Sequence, residues 1–339
     1  MLNPKLKLNP KIFNTTTADG EAGVERISTR KGFGEGLLLA GEANKNVVAL
    51  CADLTESIQM NLFAEKFPKR FIEVGVAEQN LVTIGSGMAA MGKIPFCGSY
   101  AIFSPGRNWE QTRTTIAYND RPVKIIGSHT GITVGADGGS HQVLEDIALM
   151  RVMPNMEVFS PCDAIEAKKI TLEIVKTNKP TYLRLARDKT PIITTEETPF
   201  KINKAEIFWM PDVGLAQVGI IATGEMIYNA LLTAKELETE GTKIKVMNLA
   251  TIKPIDKEAI IALAKECKAI VTVEDHQIAG GMGSAVAEVL AQNFPVPMEF
   301  VGVQDKFGQS GTPQELIEYY GLSVKYIKEA VKKVLKRKI

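Results

Sequence analysis

Through most of the chain, short apolar runs alternate with longer stretches in which apolar residues recur every three or four positions. The short runs read as buried strands at 47–52, 71–74, 123–127 and 157–160, and the longer stretches as helices at 58–67, 77–91 and 164–176. Helical spacing first begins near Ser28, which is placed to cap it. The 77–91 stretch is rich in Gly, Ala and Met, so that neighbouring backbones can approach it closely. Between 189 and 212 the pattern breaks into polar, proline-punctuated sequence. Alternation then restarts, with strands at 218–222, 243–248, 269–273 and 298–303 and helices at 226–240, 257–264 and 283–293; no element is assigned beyond 303. The expected organisation is a polar, irregular lead-in (1–24), a first domain (25–188), a linker (189–212) and a smaller second domain (213–339). The expected fold class is α/β, each domain a mostly parallel sheet flanked by helices.

In such sheets ligands bind beyond the carboxyl ends of the strands, which is where residues 53–57 and 129–141 fall. Two of the three histidines of this 339-residue chain, His129 and His141, stand in the second of these loops with Asp137 and four glycines. Imidazole exchanges protons near neutrality, and glycine lets a backbone approach a ligand, so the loop reads either as an active-site loop or as a surface loop with solvated histidines. Glu78 opens the helix expected at 77–91 among Val74, Val76, Ala77, Leu81 and Ile84. A carboxyl in apolar surroundings can exchange a proton near neutrality; an acid in a first helical turn can equally serve only to complement the helix dipole.

Composition narrows the partners. Apolar residues make up 45% and charged residues 23%, and 40 basic residues nearly cancel 39 acidic ones. No global field favours nucleic acid or an anionic membrane, so any anion must be held locally. The four cysteines, Cys51, Cys97, Cys162 and Cys267, are too scattered for a zinc site or a disulfide framework. The amino terminus lacks an export signal, and no run of about twenty apolar residues occurs. A cytoplasmic location is expected.

The segment Arg70-Phe-Ile-Glu-Val-Gly-Val-Ala-Glu-Gln-Asn80, the histidine loop, and Pro154-Asn-Met-Glu-Val-Phe-Ser-Pro-Cys-Asp163 stand in order at compatible spacing. On these segments the chain resembles the transketolase family over nearly its whole length. The resemblance implies a pyrimidine-binding domain for thiamine diphosphate over about 25–188, followed by the transketolase C-terminal domain. It implies that Glu78 hydrogen-bonds the aminopyrimidine ring nitrogen and favours the imino tautomer, which removes the thiazolium C2 proton. The activated cofactor then carries a two-carbon ketol unit from a ketose phosphate to an aldose phosphate, as in the non-oxidative pentose phosphate pathway. Tyr100 and Phe103 match aromatic residues that pack around the aminopyrimidine. Leu54 matches the apolar residue that bends the cofactor, with Asp53 beside it; where the family often has a further aromatic, this chain has Gly106. His141 matches a histidine at the reacting end of the sugar and Asp137 the acid that reads a neighbouring hydroxyl. His129, Arg30, Ser57 and Arg187 match the cluster that grips the sugar phosphate.

Complete single-chain members of that family carry, ahead of this region, a diphosphate- and metal-binding domain marked by Gly-Asp-Gly and a later Asn. Here Asp19-Gly20 and Asp137-Gly138 lack the preceding glycine. The resemblance therefore implies an N-terminal transketolase subunit that supplies most of the Mg2+ and diphosphate site, in an α2β2 heterotetramer; an organised lead-in favours that over a shortened chain. Competing readings are a subunit of the 1-deoxyxylulose-5-phosphate synthase or 2-oxoacid dehydrogenase β type, or a non-catalytic regulatory subunit. His276, followed by Gly280, Gly281 and Gly283, superficially resembles a dinucleotide turn, but the glycine spacing is imperfect and a structural or interdomain role is expected.

Overall fold

The computed structural model of the chain describes residues 1–14 and 23–338; Asp19-Gly20 and that part of the expected lead-in lie outside the described residues. The first half runs β1 (Arg26–Ser28), α1 (Thr29–Ala43), β2 (Val47–Cys51), α2 (Asn61–Lys66), β3 (Phe71–Glu73), α3 (Glu78–Ala90), β4 (Ile94–Tyr100), α4 (Trp109–Gln111), β5 (Lys124–Ser128), α5 (Asp146–Arg151), β6 (Glu157–Phe159), α6 (Ala164–Ile174), β7 (Thr181–Leu185) and β8 (Lys189–Pro191). The second half continues β9 (Glu206–Trp209), β10 (Val218–Ala222), α7 (Met226–Thr239), β11 (Ile244–Asn248), β12 (Thr251–Lys253), α8 (Lys257–Cys267), β13 (Ile270–Gln277), α9 (Met282–Asn293), β14 (Met298–Val303), α10 (Pro313–Tyr319) and α11 (Val324–Lys336).

The two larger sheets are mostly parallel. One has the order β12-β6-β7-β5-β4-β2-β3 and the other β14-β13-β10-β11-β9, and only the edge strands β12 and β9 run antiparallel. Strands β2, β5 and β7 are buried along their whole length. In β2 and the Ile125–Ile126 centre of β5 that burial shows as a continuous apolar run.

β7 hides its identity behind polar residues. Tyr182 and Arg184 point inward, and the Tyr182 hydroxyl and Arg184 Nε both donate to Asp146 Oδ2, at 2.7 and 2.9 Å. β4 hides behind Pro95 and Gly98, residues that ordinarily argue against a central strand.

Three expectations change. The first residues are not a polar lead-in: Leu6, Leu8 and Ile12 are buried in the core of the second domain, and Asn3 and Asn9 hydrogen-bond the backbone at Phe208 and Ile193. The 189–212 segment supplies β8, which pairs with β1, and β9, which closes the edge of the second sheet. Ser28 has the extended backbone of an N-cap but makes no capping hydrogen bond. The second half also lends β12 to the first sheet, so the two units are stitched together by backbone pairing. Beyond 303, Ile327, Val331 and Val334 seat α11 on the second core. No helix among the described residues is long and apolar enough to cross a membrane.

Candidate active site

Strands β7, β5, β4 and β2 are consecutive neighbours in the first sheet and all run the same way. Their carboxyl ends therefore deliver Arg187, the 129–141 loop, Tyr100 with Phe103, and the 53–57 turn to one edge. Glu78 arrives beside them as the first residue of α3. Its carboxyl is buried, at 5% exposure, and opens onto a recess of 490 Å3 lined by Val76, Ala77, Gln79, Asn80 and Arg107. The purely apolar setting expected for it is corrected: Arg107 Nη1 lies 3.4 and 3.3 Å from the two carboxylate oxygens. The same guanidinium sits 4.4 Å over the Phe103 ring. Asn108, fully buried, donates to the Glu78 carbonyl at 2.9 Å and to Ser104 Oγ at 3.0 Å, fixing the start of the helix. Arg107 and Asn108 carry no signal in spacing or composition that would single them out.

Next to Arg107, Phe103 belongs to a cluster of four rings. Tyr100 and His129 lie face to face with centroids 3.7 Å apart, Tyr100 and Phe103 are parallel at 6.0 Å, and His141 meets both Tyr100 and Phe103 edge-on at 6.2 and 5.6 Å. The flat wall and the two histidines of the glycine-rich loop are thus one cluster. His129 is buried, with a left-handed backbone at φ 57°, and its Nδ1 is 2.7 Å from Ser128 Oγ. Burial, reinforced by Arg30, Arg187 and His141, pushes its imidazole down to about 2. His129 is therefore neutral in this arrangement, with a ring that can take part in a hydrogen bond. His141 is half-buried, with Nδ1 3.0 Å from Ser140 Oγ.

The charge comes from Arg30 and Arg187. Arg30 donates to the Ser57 carbonyl and, at 2.8 Å, to the Arg187 carbonyl, leaving its Nε buried without a partner. Burial lowers its ordinary value, with Tyr100 and Asp188 opposing and Arg187 adding to the effect. Arg187 donates to the Val134 carbonyl at 3.0 Å and stands 3.8 Å from Asp137, which is exposed on the loop. Arg187 is near enough to lower the Arg30 guanidinium, so two positive charges stand together at this strand edge, an arrangement whose chemistry suits an anion.

Ser57 meets Arg30 through its backbone. Asp53 is exposed and left-handed at φ 60°, and Leu54 is half-buried against the core under β2. The turn is held by Glu73 at the end of β3: its carboxylate accepts from Asp53 N at 2.7 Å, Gly75 N at 2.9 Å and the Thr55 hydroxyl at 3.1 Å. Gly106 is packed where a Cβ would overlap the Ile102 carbonyl, so the backbone itself occupies the place of a side chain. His276 is fully buried between the domains, 3.9 Å from Asp146 and 4.0 Å from Glu274. The glycine turn after it is no phosphate site. Glu274 already accepts from Met282 N and Gly283 N at 2.6 and 2.8 Å, an internal anion at the start of α9.

Against thiamine diphosphate, the residues fit one half. A carboxyl beside a flat aromatic wall suits the aminopyrimidine, whereas no group of three or more His, Cys, Asp or Glu among the described residues could hold a metal ion.

Fold and site together define an α/β protein that presents an aromatic wall, a buried carboxyl and two arginines at the carboxyl edge of its larger sheet. Residues 25–192 match the family description "Transketolase, pyrimidine binding domain" and residues 212–327 match "Transketolase, C-terminal domain". The chain is 44% identical, over 91% of its length and 96% of the relative's, to the "Putative transketolase C-terminal section" of Methanocaldococcus jannaschii. It is 39% identical, over 89% and 92%, to a 6-deoxy-6-sulfo-D-fructose transketolase subunit of a Clostridium species. A solved structure described as "Split gene transketolase, inactive beta4 tetramer" superposes with a TM-score of 0.86 at 41% identity, covering 92% of this chain and all of that one. The chain belongs to the transketolase family and spans its pyrimidine-binding and C-terminal domains.

Proposed function

We propose that the chain is the C-terminal subunit of a thiamine-diphosphate-dependent transketolase, moving a two-carbon ketol unit from a ketose phosphate to an aldose phosphate as in the pentose phosphate pathway. An N-terminal subunit would supply the diphosphate and Mg2+ site, with two chains of each kind assembled in the cytoplasm. The observation that carries this reading is the convergence of Glu78, the ring cluster and the two arginines on one edge of one sheet.

In this reading the Glu78 carboxyl bonds the pyrimidine ring nitrogen, which requires Arg107 to swing aside. Tyr100 and Phe103 present the flat surface. Bound thiamine diphosphate supplies the electron sink for carbon–carbon cleavage. His141, whose Nδ1 faces Ser140, directs its other ring nitrogen to a hydroxyl at the reacting end of the sugar, and Asp137 reads the next hydroxyl. Arg30 and Arg187 hold the far-end anion, with neutral His129 adding a hydrogen bond. A planar guanidinium fork suits a sulfonate as well as a phosphate, and the Clostridium relative is named for a sulfonated ketose; both donor classes belong in the assay.

The test is reconstitution with the N-terminal subunit, Mg2+ and thiamine diphosphate. Xylulose 5-phosphate and ribose 5-phosphate should yield sedoheptulose 7-phosphate, and Glu78→Ala should slow transfer about 10²–10⁴-fold. Absence of product from phosphate and sulfonate donors alike, or full activity of the Ala variant, overturns the reading.

A further inference from the structure

The substrate-facing loop is held from the other domain. Asp275 lies in β13, at 1% exposure, and points across the domain seam. Its Oδ1 accepts from Ile132 N at 3.0 Å, and its Oδ2 accepts from Thr133 N at 3.2 Å and from the Thr133 hydroxyl at 3.1 Å. Gly131, at φ 76°, is where a Cβ would overlap that carboxylate, so the loop's first turn is shaped around it. Arg184 in β7 donates to the Asp275 carbonyl at 2.6 Å and to Asp146 at 2.9 Å, tying this point of β13 to the first sheet. Further along the loop, Gln142 Nε2 bridges the carbonyls of Ile132, Gly135 and Gln309, and Arg187 takes the Val134 carbonyl.

We propose that Asp275 is the positioning residue of the sugar-reading loop: it fixes Gly131–Thr133 from the second domain, and so sets where Asp137 and His141 meet the donor. The inference rests on the ketol-transfer reading above. A buried carboxylate that accepts three hydrogen bonds from one short segment leaves that segment little freedom, and Asp137 lies four residues beyond Thr133, across a kink at Gly135 (φ 83°) whose carbonyl Gln142 holds. Glu225 Oε1 stands 3.2 Å from the same hydroxyl, and burial together with the Asp275 carboxylate raises it, which favours its protonated form and leaves the single Thr133 proton to Asp275. The second domain therefore acts as a clamp on the site rather than as a distant lobe.

The test compares three variants in the chain reconstituted with its N-terminal subunit. Asp275→Asn turns one acceptor oxygen into a donor facing an N–H, and Thr133→Val removes the hydroxyl bond alone. Glu274→Gln makes the same chemical change one residue away on the same strand, where the carboxylate serves α9 instead of the loop. Hydrogen exchange at Ile132 and Thr133 should speed up in Asp275→Asn and stay as in wild type in Glu274→Gln. For the ketose donor, kcat/KM should fall about 10–100-fold in Asp275→Asn, by less in Thr133→Val, and by less than about twofold in Glu274→Gln. Discrimination against a donor lacking the hydroxyl read by Asp137 should narrow, while affinity for thiamine diphosphate stays at the wild-type value.

Unchanged exchange at 132–133, equal kcat/KM losses in Asp275→Asn and Glu274→Gln, or a parallel loss of cofactor affinity overturns the proposal. If the wild-type pair transfers no ketol unit, the functional reading fails and the sugar-reading role falls with it. Exchange at 132–133, read on the chain itself, still decides in that case whether Asp275 holds the loop.

Discussion

His129 makes this chain acid-sensitive in a way that one substitution should remove. The folded imidazole is held near 2 by burial and by Arg30, Arg187 and His141, whereas in the unfolded chain it titrates at its ordinary 6.5. Between those values the unfolded state binds one more proton than the folded state. The contribution to stability is thus fully present above pH 6.5 and is lost as pH falls below it. Because the folded value lies far under the experimental window, the slope is that of one whole proton, about 1.4 kcal/mol per pH unit. At pH 5 that amounts to about 2 kcal/mol, against roughly 0.1 at pH 7.5. His129→Asn is the informative variant, since Asn tolerates the left-handed backbone at φ 57° and does not titrate. Its lost stacking on Tyr100 lowers stability by an amount independent of pH. Urea unfolding of both proteins at pH 5.0, 6.0 and 7.5, at one fixed concentration, should show wild type losing about 2 kcal/mol more than the variant between 7.5 and 5.0. Equal losses would mean that His129 is protonated in the folded protein, and the assignment of all phosphate-binding charge to the arginines would fail with it.

Other substitutions test separate parts of the site. Arg107→Ala opens the ion pair on Glu78; since Arg107 is half exposed, the pair contributes little, and cofactor binding to the assembled enzyme should quicken by about two- to fivefold in stopped-flow fluorescence, with slower binding counting against a gating contact. Gly106→Ala forces a Cβ onto the Ile102 carbonyl and should cost about 1–3 kcal/mol in thermal or urea unfolding; wild-type stability would show that the turn relaxes freely. Arg187→Lys keeps the charge but loses the fork, so KM for a phosphorylated donor should rise about tenfold while an unphosphorylated ketose is unaffected. A rise shared by both donors would place Arg187 away from the anion.

Much of the fold is legible because burial on both faces of a parallel strand leaves an apolar run, as in Val47–Cys51 and Val218–Ala222. Two central strands are missed because inward positions are polar or small. Tyr182 and Arg184 in β7 are paid for by Asp146, which lies 36 and 38 positions away in sequence, and Pro95 and Gly98 in β4 break the pattern at the centre of the sheet. The 189–212 segment reads as a linker because β8 and β9 are short and lie at edges, where pairing rather than composition defines them. The amino-terminal strap depends on three apolar residues spaced among lysines and asparagines, too sparse a signal to assign a partner.

At the site, the residue types were visible and their supports were not. A glycine-rich loop with two histidines marks itself, but nothing in 128–141 says that its shape is set by a carboxylate 143 positions from Ile132, or that Gln309 closes it from the far side. Glu78 is equally visible, while Arg107 and Asn108, which decide what its carboxyl faces and how its helix starts, look like ordinary surface residues in sequence. Long-range polar contacts leave no periodicity, because a single hydrogen bond needs only one residue on each side. The division of labour follows from where those contacts lie. In the proposed function, first-domain strand ends choose which side chains meet the cofactor and sugar, whereas Asp275 and the Gln309 carbonyl of the second domain hold the 129–141 loop. On that proposal, a change in sugar preference can arise from β13 without any change in a residue placed at the sugar, because Asp275 acts only through the backbone of Ile132 and the backbone and hydroxyl of Thr133.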